Sequence, residues 1–223
     1  ISREDLDPFL LDDVINFTAR AEFRDVCIVF ISFEEPKGHV ILNNFVSEVI
    51  RLSGEHGGYF SKIDFGDKGG VMLVLFGAPT SYENNVERAA KFLFTLKSKE
   101  LNVLWKTGMT YGTVWAGIIG GEERCEYSAI GDIVNLSARF MVNAHSGEIW
   151  TNYKIYERLR NAYLIESAGT FTFKGKKEEK PVYKLQRPKE LSEPVLYSGK
   201  IIGRDEELEK LNHHETIKYL LEI

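Results

Sequence analysis

The order in which two hydrophobic periodicities alternate along this chain leaves it few folds. Asp25 to Phe33, DVCIVFISF, is β-branched and aromatic, and too apolar to have a wet face. His39 to Ser53 repeats apolar residues at helical spacing, through Val40, Ile41, Phe45, Val49, Ile50 and Leu52, and Gly54 follows as a stop. Tyr59 to Phe65 and Val71 to Phe76 are strand-like runs joined by the glycine-rich tip Gly66-Asp67-Lys68-Gly69-Gly70, a hairpin pattern. Asn84 to Lys99 is helical again, and Asn102 to Thr110 and Thr113 to Ile119 predict a pair of strands around Gly112. After a further strand–helix stretch come a strand at Gly147–Trp150, a helix at Tyr153–Arg160 and a closing hairpin from Phe171–Phe173 and Val182–Leu185. The core order is βαββαβ, the split arrangement of ferredoxin-like α+β domains, with extra strands in a mainly antiparallel sheet. Helices are expected on one sheet face. The opposite face and the rim near Gly131 would be left for a ligand or a second domain.

The 223 residues suffice for one ordinary domain and an appendage. The expected division is a lead-in helix over 1–23, the main domain over 24–186, a linker over 187–200 and the start of a further domain over 201–223. A net charge of −5 with both signs interspersed argues against a nucleic-acid or membrane-surface binder, which would need a basic face. No signal peptide or spanning helix is visible, and Cys27 and Cys125 read as buried free thiols, so a reducing, cytoplasmic setting is expected. The start at Ile1 rather than Met reads as a piece of something longer.

The stretch Glu126 to Met141, EYSAIGDIVNLSARFM, carries the most chemistry. A short strand turns at Gly131, Asp132 offers an N-cap, and a helix starts at Ile133 with Val134, Ser137, Ala138 and Met141 facing inward. Asn135 and Arg139, four apart, project side by side from a neighbouring face. A phosphate ester with its sugar would suit an amide beside a guanidinium, whose planar fork matches phosphate oxygens. The alternative is that Arg139 pairs with a carboxylate and Asn135 caps local backbone.

Other phosphate and metal signatures fail. Gly169 to Lys176 lacks the glycine spacing and the Ser/Thr of a Walker loop. Gly117, Gly120 and Gly121 follow a strand without opening a helix, and no Cys/His cluster has zinc spacing. What remains is a combined pattern: Lys62, Phe76-Gly77-Ala78-Pro79, Thr107-Gly108, Gly112, Ala116-Gly117, Ile119-Gly120, and Tyr127 with Ile130-Gly131-Asp132, Val134-Asn135-Leu136 and Ala138-Arg139. Taken together these resemble the catalytic domain of class III adenylyl and guanylyl cyclases over about residues 24–186. The chain is most similar to the second cyclase domain of soluble-type adenylyl cyclases and their bacterial relatives. The tail Ile201–Leu208, IIGRDEEL, looks like the opening of the ATPase module that follows such domains.

The resemblance implies a reaction in which the ribose 3′-oxygen of ATP attacks its own α-phosphorus and pyrophosphate leaves, catalysed by positioning and charge stabilisation. It implies an active site between two cyclase domains. Asn135 would orient the ribose and Arg139 would stabilise charge on the α-phosphate. Lys62 would donate to N1 of adenine, and the Ser128 hydroxyl would accept from the exocyclic amine. A guanine N1–H would clash with the lysine, so the pair favours ATP over GTP. The alternatives are an edge lysine that blocks aggregation and a small strand serine bonded to backbone.

Two positions depart from the pattern. Ser32 stands where the first strand should carry a metal-binding Asp, and Gly70 where the hairpin should carry another. A serine cannot replace a carboxylate on a hard cation. The hairpin is longer than usual, with Asp64 and Asp67 as the nearest acids. The expectation is therefore a second catalytic half, with no metal site of its own, whose Mg2+ or Mn2+ is held by the partner cyclase domain. A non-catalytic cyclase-fold module that pairs for regulation is the rival, and a homodimer improvising ligands from Asp64 or Asp67 a third reading.

Overall fold

The computed structural model describes residues 21–66, 69–120, 125–172 and 179–189. In chain order these form β1 (Ala21–Phe33), α1 (His39–Glu55), β2 (Gly58–Gly66), β3 (Gly69–Phe76), α2 (Asn85–Lys97), β4 (Trp105–Gly120), β5 (Cys125–Ile130), α3 (Asp132–Asn143), β6 (Ile149–Thr151), α4 (Tyr153–Leu159), β7 (Tyr163–Phe171) and β8 (Lys180–Pro188). The sheet order is β2-β3-β1-β4-β6-β8-β7, and β5 pairs with the far half of β4. The first four strands and two helices realise the βαββαβ core of an α+β domain. The pairing of β4 with β6 is parallel, as expected for a strand–helix–strand crossover, and the other ladders are antiparallel.

β1 is apolar on both faces because both are covered. Cys27, Val29, Ile31 and Phe33 pack with Phe45, Val49 and Leu52 of α1 and with Val86, Ala89 and Phe92 of α2. Val26 and Ile28 pack on the opposite side with Val114, Tyr127 and Ala129. Ile155 and Leu159 of α4 join the first of these clusters.

One detail of the expected arrangement is corrected. α3 does not share the face of α1, α2 and α4; it lies on the opposite one, the face expected to be open. The cause is a row of small residues on β4. A Cβ at Gly108 would stand 2.0 Å from the Ser137 carbonyl oxygen, and one at Gly112 would stand 3.0 Å from Ile133 Cγ1. Between them Thr110 Oγ1 donates to the Ile133 carbonyl at 2.9 Å. The Ser137 hydroxyl, fully buried, lies 2.8 Å from the Gly108 carbonyl and 3.1 Å from that of Ile28, so one side chain ties α3 to β4 and β1. The same contact explains why β4 is a single 16-residue strand and not two strands broken at Gly112: the glycine admits a packed helix instead of making a turn.

Smaller corrections follow from local geometry. Asp132 is the first residue of α3, not its cap. Gly131 holds the cap position without a side-chain hydrogen bond, and the Asp132 carboxylate sits in the first turn, where the helix dipole favours it. Cys27 is buried, and burial followed by the field of Glu87 raises its pKa well above the thiol range, but Cys125 is exposed. β1 begins at Ala21, within the segment expected as a lead-in helix, and β8 runs to Pro188, into the expected linker; residues 1–20 and 190–223 lie outside the described residues, and with them the rest of the expected helix, linker and tail. Among the described residues no helix is long and apolar enough to cross a membrane.

Glu148 ties the turn after α3 to β6 and β8. Its carboxylate accepts from the Trp150 indole at 2.7 Å and the His145 backbone N–H at 3.0 Å, and pairs with Lys184 of β8. Burial works against the charged form, but Lys184 and the two N–H donors outweigh it and hold the group at about 2. A carboxyl depressed on folding contributes stability that is complete above its unfolded value and is lost as pH falls through the folded one. Glu148→Gln is expected to lower stability by about 2 kcal/mol at pH 7, a fall in Tm of roughly 4–8 °C. The gap from the parent should close between pH 4.5 and about 2 in thermal melts. A gap independent of pH would contradict this account.

Candidate active-site wall

α3 presents two of the expected residues because its other face is occupied. Ser137, Phe140 and Met141 are buried against the sheet, which turns Asn135 to solvent and leaves Arg139 half-buried. Among the described residues, neither the Asn135 side-chain amide nor the Arg139 guanidinium has a hydrogen-bond or ion-pair partner. The Arg139 backbone carbonyl accepts from Asn143 Nδ2 at 2.8 Å. A carboxylate partner for Arg139 and a capping role for Asn135 are thus both missing among the described residues.

Lys62 reaches the same side of the sheet through a bulge. The β2–β3 register slips between Phe60 and Lys62, so that Phe60 faces Val74 and Lys62 faces Leu73. Strict alternation would put Phe60 and Lys62 on one face. The extra residue, Ser61, instead sends Phe60 and Ile63 to the α1/α2 core, while Tyr59 and Leu73 pack in the cluster on the α3 face. Bulges re-aim side chains in this way.

β2 and β5 meet there. The Tyr59 and Tyr127 rings pack edge-to-face at 5.4 Å, and Lys62 Nζ lies 3.7 Å from Glu126 Oε1. Burial, then the Glu126 carboxylate, raises the pKa of the Tyr59 phenol. Ser128 sits two residues beyond Glu126 on β5, opposite Gly117 and only 9% exposed. The fold therefore brings Lys62 to the strand that carries Ser128, with Glu126 as its immediate neighbour. α3 begins directly after that strand, across Gly131. Glu126 was not singled out from the sequence. Its signal was its position two residues before Ser128, hence on the same strand side, but its approach to Lys62 depends on the bulge.

Ser32 and Gly70 stand where the resemblance places metal-binding carboxylates. Ser32 is the register partner of Lys106 on β4, whose ammonium donates to the Val142 and Ala144 carbonyls at 2.8 and 3.0 Å and so caps α3. Gly70 lies opposite Phe33, and a Cβ there would stand 2.2 Å from the Phe33 ring. Neither a serine hydroxyl nor a glycine offers the carboxylate oxygens that a hard divalent ion prefers. Asp64 is exposed on β2, and Asp67 lies outside the described residues. Among the described residues no three His, Cys, Asp or Glu side chains converge.

Solved structures with this fold include the adenylyl cyclase CyaB from P. aeruginosa (TM-score 0.68, 20% identity, 75% of this chain and 96% of that one). The guanylate cyclase domain of RhGC from Catenaria anguillulae, solved with GTP, is similar (TM-score 0.65, 20% identity, 77% of this chain and all of that one). In sequence the chain is 28% identical over 190 residues to adenylate cyclase type 10 of Rattus norvegicus, covering 79% of this chain and 12% of that protein. It is 27% identical over 176 residues to an adenylate cyclase of Mycobacterium bovis, covering 75% of this chain and 36% of that protein. The chain thus spans between about an eighth and about a third of these relatives. Residues 39–187 match the family described as the adenylate and guanylate cyclase catalytic domain, and the chain belongs to that family.

Proposed function

We propose that this chain is the second catalytic half of an adenylyl cyclase, supplying the wall that holds the nucleotide to a site whose metals belong to a facing cyclase domain. The observation that carries the reading is the pair Asn135 and Arg139. They stand on a helix seated firmly on its other face, and their polar groups have no protein partner among the described residues. Arg139 would face the α-phosphate, where its planar donors meet the charge that builds as the ribose 3′-oxygen attacks and pyrophosphate departs. Asn135 would hold the ribose so that the oxygen and phosphorus stay in line. Lys62 would donate to N1 of the adenine, and Ser128 lies on the strand beside it. Mg2+ or Mn2+ would be held by the facing domain, since Ser32 and Gly70 offer it nothing. The proposed setting is cytoplasmic, with the cyclase domain followed by a linker and the start of an ATPase module.

That Ser32 and Gly70 stand where the resemblance expects carboxylates also fits a second reading, a non-catalytic module that pairs with another cyclase domain for regulation. One experiment separates the two. Alone, with ATP and Mg2+ or Mn2+, the chain is expected to make no cyclic AMP above background. Mixed with a cyclase domain that carries both carboxylates, it is expected to support turnover. Turnover by the chain alone that vanishes on Arg139→Ala would overturn the proposal. Activity of the mixture that ignores Asn135→Ala and Arg139→Ala would leave the regulatory reading standing.

A further inference from the structure

We infer that a cavity at the start of β1, on the sheet face opposite α3, is a binding site for a small zwitterion, a molecule that carries both a carboxylate and an ammonium group. The inference goes beyond the proposed function and uses none of its residues.

The cavity has a volume of about 310 Å³, at the low end of the range for small-molecule sites. Separate parts of the fold line it: Asp25 of β1, Ser81 and Glu83 of the segment before α2, Tyr111 of β4 and Arg158 of α4. Tyr111 packs against the core cluster under α1 and α2, which sets the cavity on that side of the sheet and away from the nucleotide wall.

Both signs of charge face the cavity without meeting. Among the described residues Arg158, Asp25 and Glu83 form no ion pair. The further cation on the lining, Arg24, is engaged by Glu22 and by the Pro79 carbonyl. A simple anion would stand against two carboxylates, and a simple amine against a guanidinium. A molecule with one group of each sign answers the whole pattern.

The carboxylate end has its donors in place. The Arg158 guanidinium lies 4.5 Å from the centre of the Tyr111 ring, a contact that positions it without neutralising it. Arg158 Nη2 donates to the Tyr111 hydroxyl at 3.3 Å, and Asn85 Nδ2 donates to the Ser81 hydroxyl at 3.2 Å. Each hydroxyl accepts in that contact, so its own hydrogen is left for a ligand. Asn85 is only 6% exposed and also accepts from the Tyr82 N–H at 3.1 Å, which fixes the wall that carries Ser81. The ammonium end would meet Glu83 and Asp25, whose Oδ1 accepts from the Thr113 hydroxyl at 2.6 Å and whose Oδ2 stays open. Groups already held in place lose little freedom when a ligand arrives.

The test is an NMR titration of the full chain with glycine, γ-aminobutyrate and ε-aminohexanoate, zwitterions of increasing charge separation. Butyrate and butylamine serve as single-charge controls. At least one zwitterion is expected to bind with a Kd of about 1 mM or tighter and to shift the backbone amides of Gly77 and Val86, which line the cavity. Butyrate and butylamine should bind at least about tenfold more weakly. Arg158→Gln and Asp25→Asn should each weaken that zwitterion about tenfold, the loss of one charge-assisted contact. Arg160→Gln, at an exposed arginine outside the cavity lining, should not. The remaining amide signals report whether each variant keeps the fold. If no zwitterion binds, if butyrate binds as well as the best of them, or if Arg158→Gln leaves the affinity unchanged, the assignment is wrong. None of these results bears on Arg139 or on cyclic AMP formation, so the two proposals stand or fall separately.

Discussion

Arg139→Ala, in the chain paired with a metal-binding cyclase domain, is expected to lower the rate of cyclic AMP formation by about two to three orders of magnitude, with a much smaller change in the apparent KM for ATP. The size is that of removing one preorganised donor aimed at charge that develops only in the transition state. The split between rate and KM is expected because, in the proposed site, ground-state binding would be spread over the base, the ribose and the phosphates. The fold should not respond. Arg139 has no side-chain partner among the described residues, and alanine is the best helix former. Thermal melts of parent and variant should coincide to within roughly 2 °C, the span of a surface substitution. Arg139→Lys should recover little of the rate, since an ammonium keeps the charge but loses the planar fork. An unchanged rate in steady-state assays would remove Arg139 from the chemistry, whatever its exposure.

The elements were legible where one periodicity ruled and both neighbours agreed with it. β1 reads as a strand buried on both faces, and it is one. The helices around Phe45 and Phe92 show their inward stripes at the residues that pack. Asn135 and Arg139 could be placed on a common outward face because helical spacing is rigid. What could not be read depended on contacts between distant segments. Gly112 has the look of a turn residue, and only the docking of Ile133 on it explains an unbroken strand. The same is true of α3 crossing to the other sheet face, which is decided by the row Gly108, Thr110 and Gly112 and not by anything within the helix.

The bulge at Ser61 is of the same kind. Counting along the hairpin assumes strict alternation, and one extra residue exchanges the faces of every position beyond it. The bulge puts Lys62 beside β5 and Glu126, an approach that the position of Glu126 two residues before Ser128 does not reveal by itself. Cys125 misled for a simpler reason: an apolar-looking run at a strand end carries no information on whether anything covers that end.

If α3 is seated as described, Gly108→Ala should be among the most damaging single changes in the chain. The added Cβ would stand 2.0 Å from the Ser137 carbonyl oxygen and 2.5 Å from the Met141 amide nitrogen. Both are backbone atoms of the helix, so no rotamer change relieves the contact, and α3 must lift from β4. Lifting also strains the two contacts of the buried Ser137 hydroxyl with Gly108 and Ile28. The expected cost is about 3 kcal/mol or more, a fall in Tm of roughly 10 °C. Displacing Asn135 and Arg139 by even ~1 Å should reduce turnover in the paired enzyme about a hundredfold, below the melting transition. Gly112→Ala is the control. Its Cβ would meet the side chain of Ile133 at 3.0 Å, which can give way by a few tenths of an ångström, so a loss of about 1 kcal/mol and a modest change in rate are expected. Equal effects at the two glycines, read by melting and by cyclic AMP output, would mean that α3 is not pinned to β4 at Gly108, and the helix would lose its claim to hold Arg139 at a fixed place on the wall.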